Sequence, residues 1–303
     1  AKVSLVANTG ATGAARETEM TQIVALVDGS IYSQSVSDHA AWIAAQTGAD
    51  VELMHFLDRN HPADARNNLS GNISLGARTA LLEELSEKDV ETAKLSQKGG
   101  RAILDEAKAH IETAGNINVT PRLRFGDVVE AVTEHEADAD MVVIGKRGDA
   151  ADFSKLNLGS NLERIVRSCP NPVFVAARAF TPVKRFLIAY DGGASSRKAV
   201  KHVAASPLFR GLNCHLLTVG ADTASARRDL ADAQAILEAA GIDVEADIVQ
   251  GPPDLLISDA VESKEIGLLV MGAYGHSRIR SLIIGSTTAE MIRLCKIPVV
   301  LFR

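Results

Sequence analysis

The residues best suited to chemistry lie in one stretch, Gly272-Ala-Tyr-Gly275-His-Ser-Arg-Ile-Arg-Ser-Leu-Ile-Ile-Gly285-Ser286-Thr287. An apolar run, Gly267 to Met271, leads into it, and a helix-like segment, Ala289 to Leu294, follows. The order strand, glycine loop, helix start suits a phosphate. Glycine has no Cβ, so its backbone can come close to an anion. The first N–H groups of the helix and its positive dipole end favour negative charge. Ser286 and Thr287 add hydroxyl donors, and either could serve as the N-cap. A glycine-rich turn that binds nothing is the competing reading, because short glycine motifs are weak evidence. No Lys follows Gly285, so this is not a Walker loop, and the spacing is not that of the GxGxxG fingerprint.

The elements that must hold this loop can be read upstream. Ile23 to Val27 is an apolar, β-branched run that suits a parallel strand buried on both faces. It ends at Asp28-Gly29-Ser30. A helix follows over about Ser33 to Gln46, with Gly48 as its stop, and Val51 to Leu57 reads as a second strand. The same order returns later: Phe186 to Tyr190, then Asp191-Gly192-Gly193, a helix, and a strand over Cys214 to Val219. His39 and His202 each lie eleven residues beyond the strand-end Asp. Gly145-Lys-Arg-Gly148 parallels Gly272-Ala-Tyr-Gly275, and Gly159-Ser160-Asn161 parallels Gly285-Ser286-Thr287. Cys169 and Pro172 parallel Cys295 and Pro298. The chain is thus a duplicated domain rather than a solenoid.

Each half reads β-α-β-α-β-α-β-α-β, with third strands over Val119 to Arg124 and Val244 to Val249. That alternation predicts two tandem α/β domains, each a doubly wound, five-stranded parallel sheet of Rossmann type. Ligands of such sheets bind beyond the carboxyl ends of the strands at the switch point. The glycine loop and Asp191 (or Asp28) would meet there. The domains are expected at 20–178 and 184–303, with Pro182 in the linker. Residues 1–19 read as a tail, or else as an added edge strand, before Met20. The final strands, Val173 to Ala176 and Pro298 to Phe302, are short and apolar. As exposed edges they are expected to pair with each other and join the halves as a built-in dimer.

The halves differ in length. Asp28 to Gly145 spans 117 positions and Asp191 to Gly272 spans 81, so the first half carries about 36 more residues. They fall within His61 to Lys98. Asn67 to Gly76 reads as loop and Ala77 to Gly115 as helix, with a kink or break expected at Gly99-Gly100. The charges of that helix read as a solvated face, with a partner-docking surface as the alternative.

Composition limits the function. Of 303 residues, 46% are apolar and 23% charged, as in a globular protein. A formal net charge of -6 argues against a general nucleic-acid binder. No apolar run reaches the length of a membrane span. The three cysteines are widely spaced and form no disulfide framework, which points to a reducing cytoplasm. Cys169 and Cys295 read as core residues, and His39 and His202 as packing against the sheet. Asp28 and Asp191 could simply cap the following turn. Arg278 and Arg280, inside the loop, could reach a phosphate or remain solvated.

The spacing Gly272-x2-Gly275-x9-Gly285-Ser286-Thr287 resembles the nucleotide loop of the ATP-binding universal stress proteins. Both halves resemble that domain, and the whole resembles its tandem members. The resemblance implies ATP as ligand, with or without Mg2+, and a role for each matched position. The backbone near Val219 would flank adenine. Asp191 would face the adenosine or a metal-bound phosphate. Gly272 and Gly275 would approach ribose and the first phosphates, and Gly285, Ser286 and Thr287 the terminal ones. The equivalent set in the first half is Asp28, Phe56, Gly145, Gly148, Gly159 and Ser160. Ten residues, not nine, separate Gly148 from Gly159 there, and Asn161 stands in the place of Thr287. Both departures predict a weaker or absent site. The expected function is a cytoplasmic stress-response regulator with no catalytic residues. A slow ATPase or autokinase is the first alternative, and a nucleotide-free scaffold for a protein partner the second. Homodimerisation is left open.

Overall fold

The computed structural model describes residues 21–57, 75–134, 139–146, 160–274 and 285–303, with 75–89 and 160 described by their backbone. The first half contains β1 (Gln22–Leu26), α1 (Ser33–Thr47), β2 (Asp50–Leu57), α2 (Leu75–Thr113), β3 (Val119–Phe125), α3 (Val128–Glu134), β4 (Met141–Gly145), α4 (Ser160–Ser168) and β5 (Val173–Ala176). The second repeats the order with β6 (Arg185–Ala189), α5 (Ala194–Ala205), β7 (Asn213–Val219), α6 (Ala224–Ala239), β8 (Asp243–Val249), α7 (Pro253–Ser263), β9 (Leu268–Gly272), α8 (Ser286–Leu294) and β10 (Val299–Phe302). A short 3-10 turn, Pro207–Phe209, follows α5.

The ten strands form one sheet, in the order β3-β2-β1-β4-β5-β10-β9-β6-β7-β8. Within each half every pairing is parallel. Among the described residues the halves meet at one antiparallel pair, with Val175, Phe174 and Val173 opposite Val299, Val300 and Leu301. The expected pairing of the two final strands is therefore present, and it removes two exposed edges. Alternate residues of β1 serve opposite layers: Ile23 and Ala25 pack into one core, Val24 and Leu26 into the other. Each core runs across both halves. One contains Phe174 with Phe186 and Phe302, and the other contains Val175 with Leu187 and Met291. This two-sided burial explains why the strand sequences are continuous apolar runs.

The repeat histidines pack as expected. His39 lies 5.2 Å from Phe174, ring centre to ring centre, and His202 lies 5.1 Å from Phe302. Cys169, Cys214 and Cys295 are buried thiols without disulfides.

The long helix departs from expectation. α2 runs unbroken through Gly99-Gly100. A side chain at Gly100 would meet Leu123 Cδ1 at 2.7 Å and His55 Cδ2 at 2.8 Å. The glycine therefore allows the helix to cross β2 and β3 closely, and does not end it. At 39 residues against 16 for α6, α2 is longer by roughly 35 Å of helix. Expected features at 1–19 and most of the 67–76 loop lie outside the described residues, although Leu75 and Gly76 are already helical.

Candidate functional site

The order of the second-half strands creates the site. The chain moves outward from β6 to β7 and β8, then returns to the other side of β6 as β9. The connections that leave β6 and β9 diverge, and a crevice opens at their carboxyl ends. A cleft of about 330 Å³ lies there. Its floor comes from Ala189, Leu217 and Met271, and Ile257 of α7 supplies an apolar wall. Asp191, Val219, Gly272, Gly285, Ser286 and Thr287 all line it, so six predicted residues from four elements converge on one space. Gly275, like Arg278 and Arg280, lies outside the described residues.

Asp191 is exposed at the rim. Its Oδ1 accepts from the Gly193 N–H at 2.8 Å and from Ser196 Oγ at 2.6 Å. The carboxylate therefore does cap the turn into α5, and that turn also fixes its position beside the cleft. Gly192 makes the turn at φ 73°, in the left-handed region that favours glycine. Asp28 has the same arrangement, accepting from the Ser30 N–H at 3.0 Å, with Gly29 at φ 79°.

At α8 the N-cap is Gly285, not Ser286 or Thr287, and no side chain caps the helix. The first N–H groups of a helix lack intrahelical partners, and here they open toward the cleft. The following Thr288, missed in the sequence, is buried and donates its Oγ1–H to the Gly272 carbonyl at 3.0 Å. The Gly285 N–H donates to the Ala273 carbonyl at 3.1 Å. Two bonds thus hold the helix start against the end of β9. Gly272 has a reason of its own to be glycine: a Cβ would lie 2.9 Å from Ser195 Cβ. Its lack of a side chain serves packing against α5 as well as access to the cleft.

Sequence reasoning also missed Tyr190, Tyr274, Pro253 and Ile257, which line the cleft. Burial pushes the Tyr190 hydroxyl pKa up, with Arg197 opposing the shift, and burial does the same at Tyr274. Both hydroxyls stay protonated and can donate. Gly251-Pro252-Pro253 marked the start of α7, but not the face it would turn inward. Among the described lining residues there is no Lys, His or Cys.

In the first half Asp28, Phe56 and Gly145 stand at the ends of β1, β2 and β4, and Ser160 begins α4. Gly148 and Gly159 lie outside the described residues. Lys146 takes the position of Ala273. It is buried, and its Nζ donates to the Cys295 carbonyl of the second half.

The profile of the Universal stress protein family matches residues 20–177 and again 182–303. The universal stress protein Slr1230 of Synechocystis sp. is 37% identical over 287 residues, which is 94% of this chain and all of the relative. Universal stress protein G of Salmonella typhimurium is 30% identical over 151 residues, 48% of this chain and 92% of its own length. Among solved structures, a universal stress protein from Archaeoglobus fulgidus superposes with a TM-score of 0.66 at 23% identity, covering 93% of this chain and 96% of the other.

Proposed function

The chain belongs to the universal stress protein family, and from that premise we propose that its second half binds ATP as a regulatory ligand. The observation that supports this reading is the convergence of Asp191, Val219, Gly272, Gly285, Ser286 and Thr287 on the cleft at the switch point. The residues fit the ligand in kind. Leu217, Val219 and Ile257 offer an apolar surface to a purine. The Asp191 carboxylate can accept from a nucleoside hydroxyl or amino group, or ligate Mg2+ on a phosphate. The uncapped start of α8 offers backbone N–H groups and a positive dipole end to the phosphates.

Binding to the native state stabilises it, so the nucleotide acts as a stability or conformational signal. Among the described cleft residues the one carboxylate is Asp191, and its Oδ1 is engaged by the Gly193 N–H and Ser196 Oγ, which favours binding over turnover. Three buried thiols without disulfides suit a reducing compartment such as the cytoplasm. The direct test is to denature freshly purified protein and identify the small molecules released. Recovered ATP or ADP supports the reading. An empty extract together with no calorimetric response to added ATP defeats it. Steady phosphate release from ATP would point to a slow ATPase instead.

A further inference from the structure

A second cluster lies at the other end of the second-half sheet. His215 is on β7, and Glu245 and Asp247 are on the adjacent edge strand β8. The parallel register sets Glu245 opposite His215 and Asp247 two residues on, so all three share one face. His215 lies four residues before Val219, about 13 Å along the strand from the nucleotide cleft. A cavity of about 100 Å³ opens here, lined in part by Arg185, Asn213, Glu245 and Lys264.

The imidazole is only 4% exposed, and its Nδ1 is buried without a hydrogen-bond partner. Its two nitrogens lie 3.7 Å from Glu245 Oε2 and 3.7 Å from Asp247 Oδ2. Those gaps are too long for hydrogen bonds. Only one ring nitrogen can ligate a given ion; taken from the unpartnered Nδ1, the gap to Glu245 Oε2 is close to the separation of two ligand atoms that each sit about 2.1 Å from a shared ion. One ligand atom from each of the three residues falls within 4.8 Å of the others. Lys264, at the end of α7, reaches in from the rim. Its Nζ donates to Glu245 Oε1 at 2.6 Å and lies 3.6 Å from Asp247 Oδ2.

We propose that His215, Glu245 and Asp247 form a binding site for a divalent transition-metal ion, with Lys264 as the resident cation that the metal displaces. One imidazole and two carboxylates are a donor set that suits Zn2+ or Co2+. Lys264 is 29% exposed and can swing into solvent. The first half provides an internal control. There Glu52 takes the position of His215 and Arg122 that of Asp247, and the two form an ion pair. Gln22 Nε2 donates to the other Glu52 oxygen at 2.8 Å. That pair neutralises itself and offers a metal nothing.

The test is a calorimetric titration of Zn2+ into the chelator-stripped full chain, with Co2+ absorption as a second readout. Wild type should bind one more ion than His215→Ala, and Co2+ in that site should give visible ligand-field bands. Glu245→Gln with Asp247→Asn, at exposed positions that should not disturb folding, should lose the same ion. Lys264→Met should bind about tenfold tighter, because the competing ammonium is gone. Equal Zn2+ stoichiometry in wild type, His215→Ala and the double carboxylate variant would overturn the site. A Lys264→Met variant that binds no tighter would overturn the displacement.

Discussion

In the second half, the turn after the first strand faces a carboxylate. A side chain at Gly192 would lie 3.6 Å from Asp229 of α6, and Asp229 accepts from Arg197 Nη2 at 3.1 Å. In the first half, the same turn faces a hydrocarbon. A side chain at Gly29 would lie 2.8 Å from Ile103 Cδ1 of α2. The residue after the fourth strand also differs. Ala273 is small and buried beside the cleft, whereas Lys146 spends its ammonium on the Cys295 carbonyl across the junction. One sheet order thus carries two kinds of strand-end environment. The second half keeps the crevice polar and open at the start of α8. The first half packs a long helix and a cross-junction lysine around the same positions. A duplication lets one copy keep an open crevice while the other takes on structural contacts.

The strongest way to break this comparison is to block one loop at a time. Gly285→Val should lower ATP affinity by about 100-fold or more, on the order of 3 kcal/mol, because a Cβ would intrude where backbone meets phosphate. Gly159→Val should leave affinity unchanged. Circular dichroism should show both variants folded. Gly272 is a poor probe, since its Cβ would collide with Ser195 whether or not ligand is bound.

A pH series should separate the equivalent histidines. Burial first, and then Lys198, hold the His202 imidazole down to about 4. Burial lowers His39 as well, but its bond to the Ser35 carbonyl and the nearby Asp38 oppose the shift. A base lowered in the fold takes up its proton more readily when unfolded. The stability it contributes is therefore intact above pH 6.5 and is lost as pH falls toward 4, by up to about 3 kcal/mol for His202. Urea midpoints measured from pH 7.5 to 4.5 should fall less steeply in His202→Leu than in wild type. His39→Leu should flatten the curve less.

The next effect is confined to the first half. Gly100→Ala should cost about 1 to 3 kcal/mol in denaturant unfolding, because its Cβ would push on His55 and Leu123. The smallest effect has the opposite sign. Nothing lies within 4 Å of a Cβ built at Gly99, so Gly99→Ala should stabilise α2 by about 0.5 to 1 kcal/mol.

That adjacent pair also marks where sequence reading ends. Two glycines inside a helical pattern look like a break, because each weakens a helix locally. Only the neighbouring strands reveal that Gly100 allows a close crossing and that Gly99 meets nothing. The strands were legible because burial on both faces produces unbroken apolar runs such as Ile23 to Val27. The junction was legible because Val173–Ala176 and Val299–Phe302 are too apolar to remain exposed edges. The Asp191 turn was legible in type, and its capping role and its place in the cleft prove compatible. The α8 cap was misread because Ser286 and Thr287 are good cap residues, yet the chain turns one residue earlier, at Gly285. Tyr190, Ile257 and Thr288 were not legible, since tertiary packing alone decides which face of α7 and which threonine of α8 turn inward.

The most direct test of the asymmetry is the number of ATP molecules the wild-type chain binds, counted by calorimetry on nucleotide-stripped protein. One site per chain is expected. Two equal sites would contradict it.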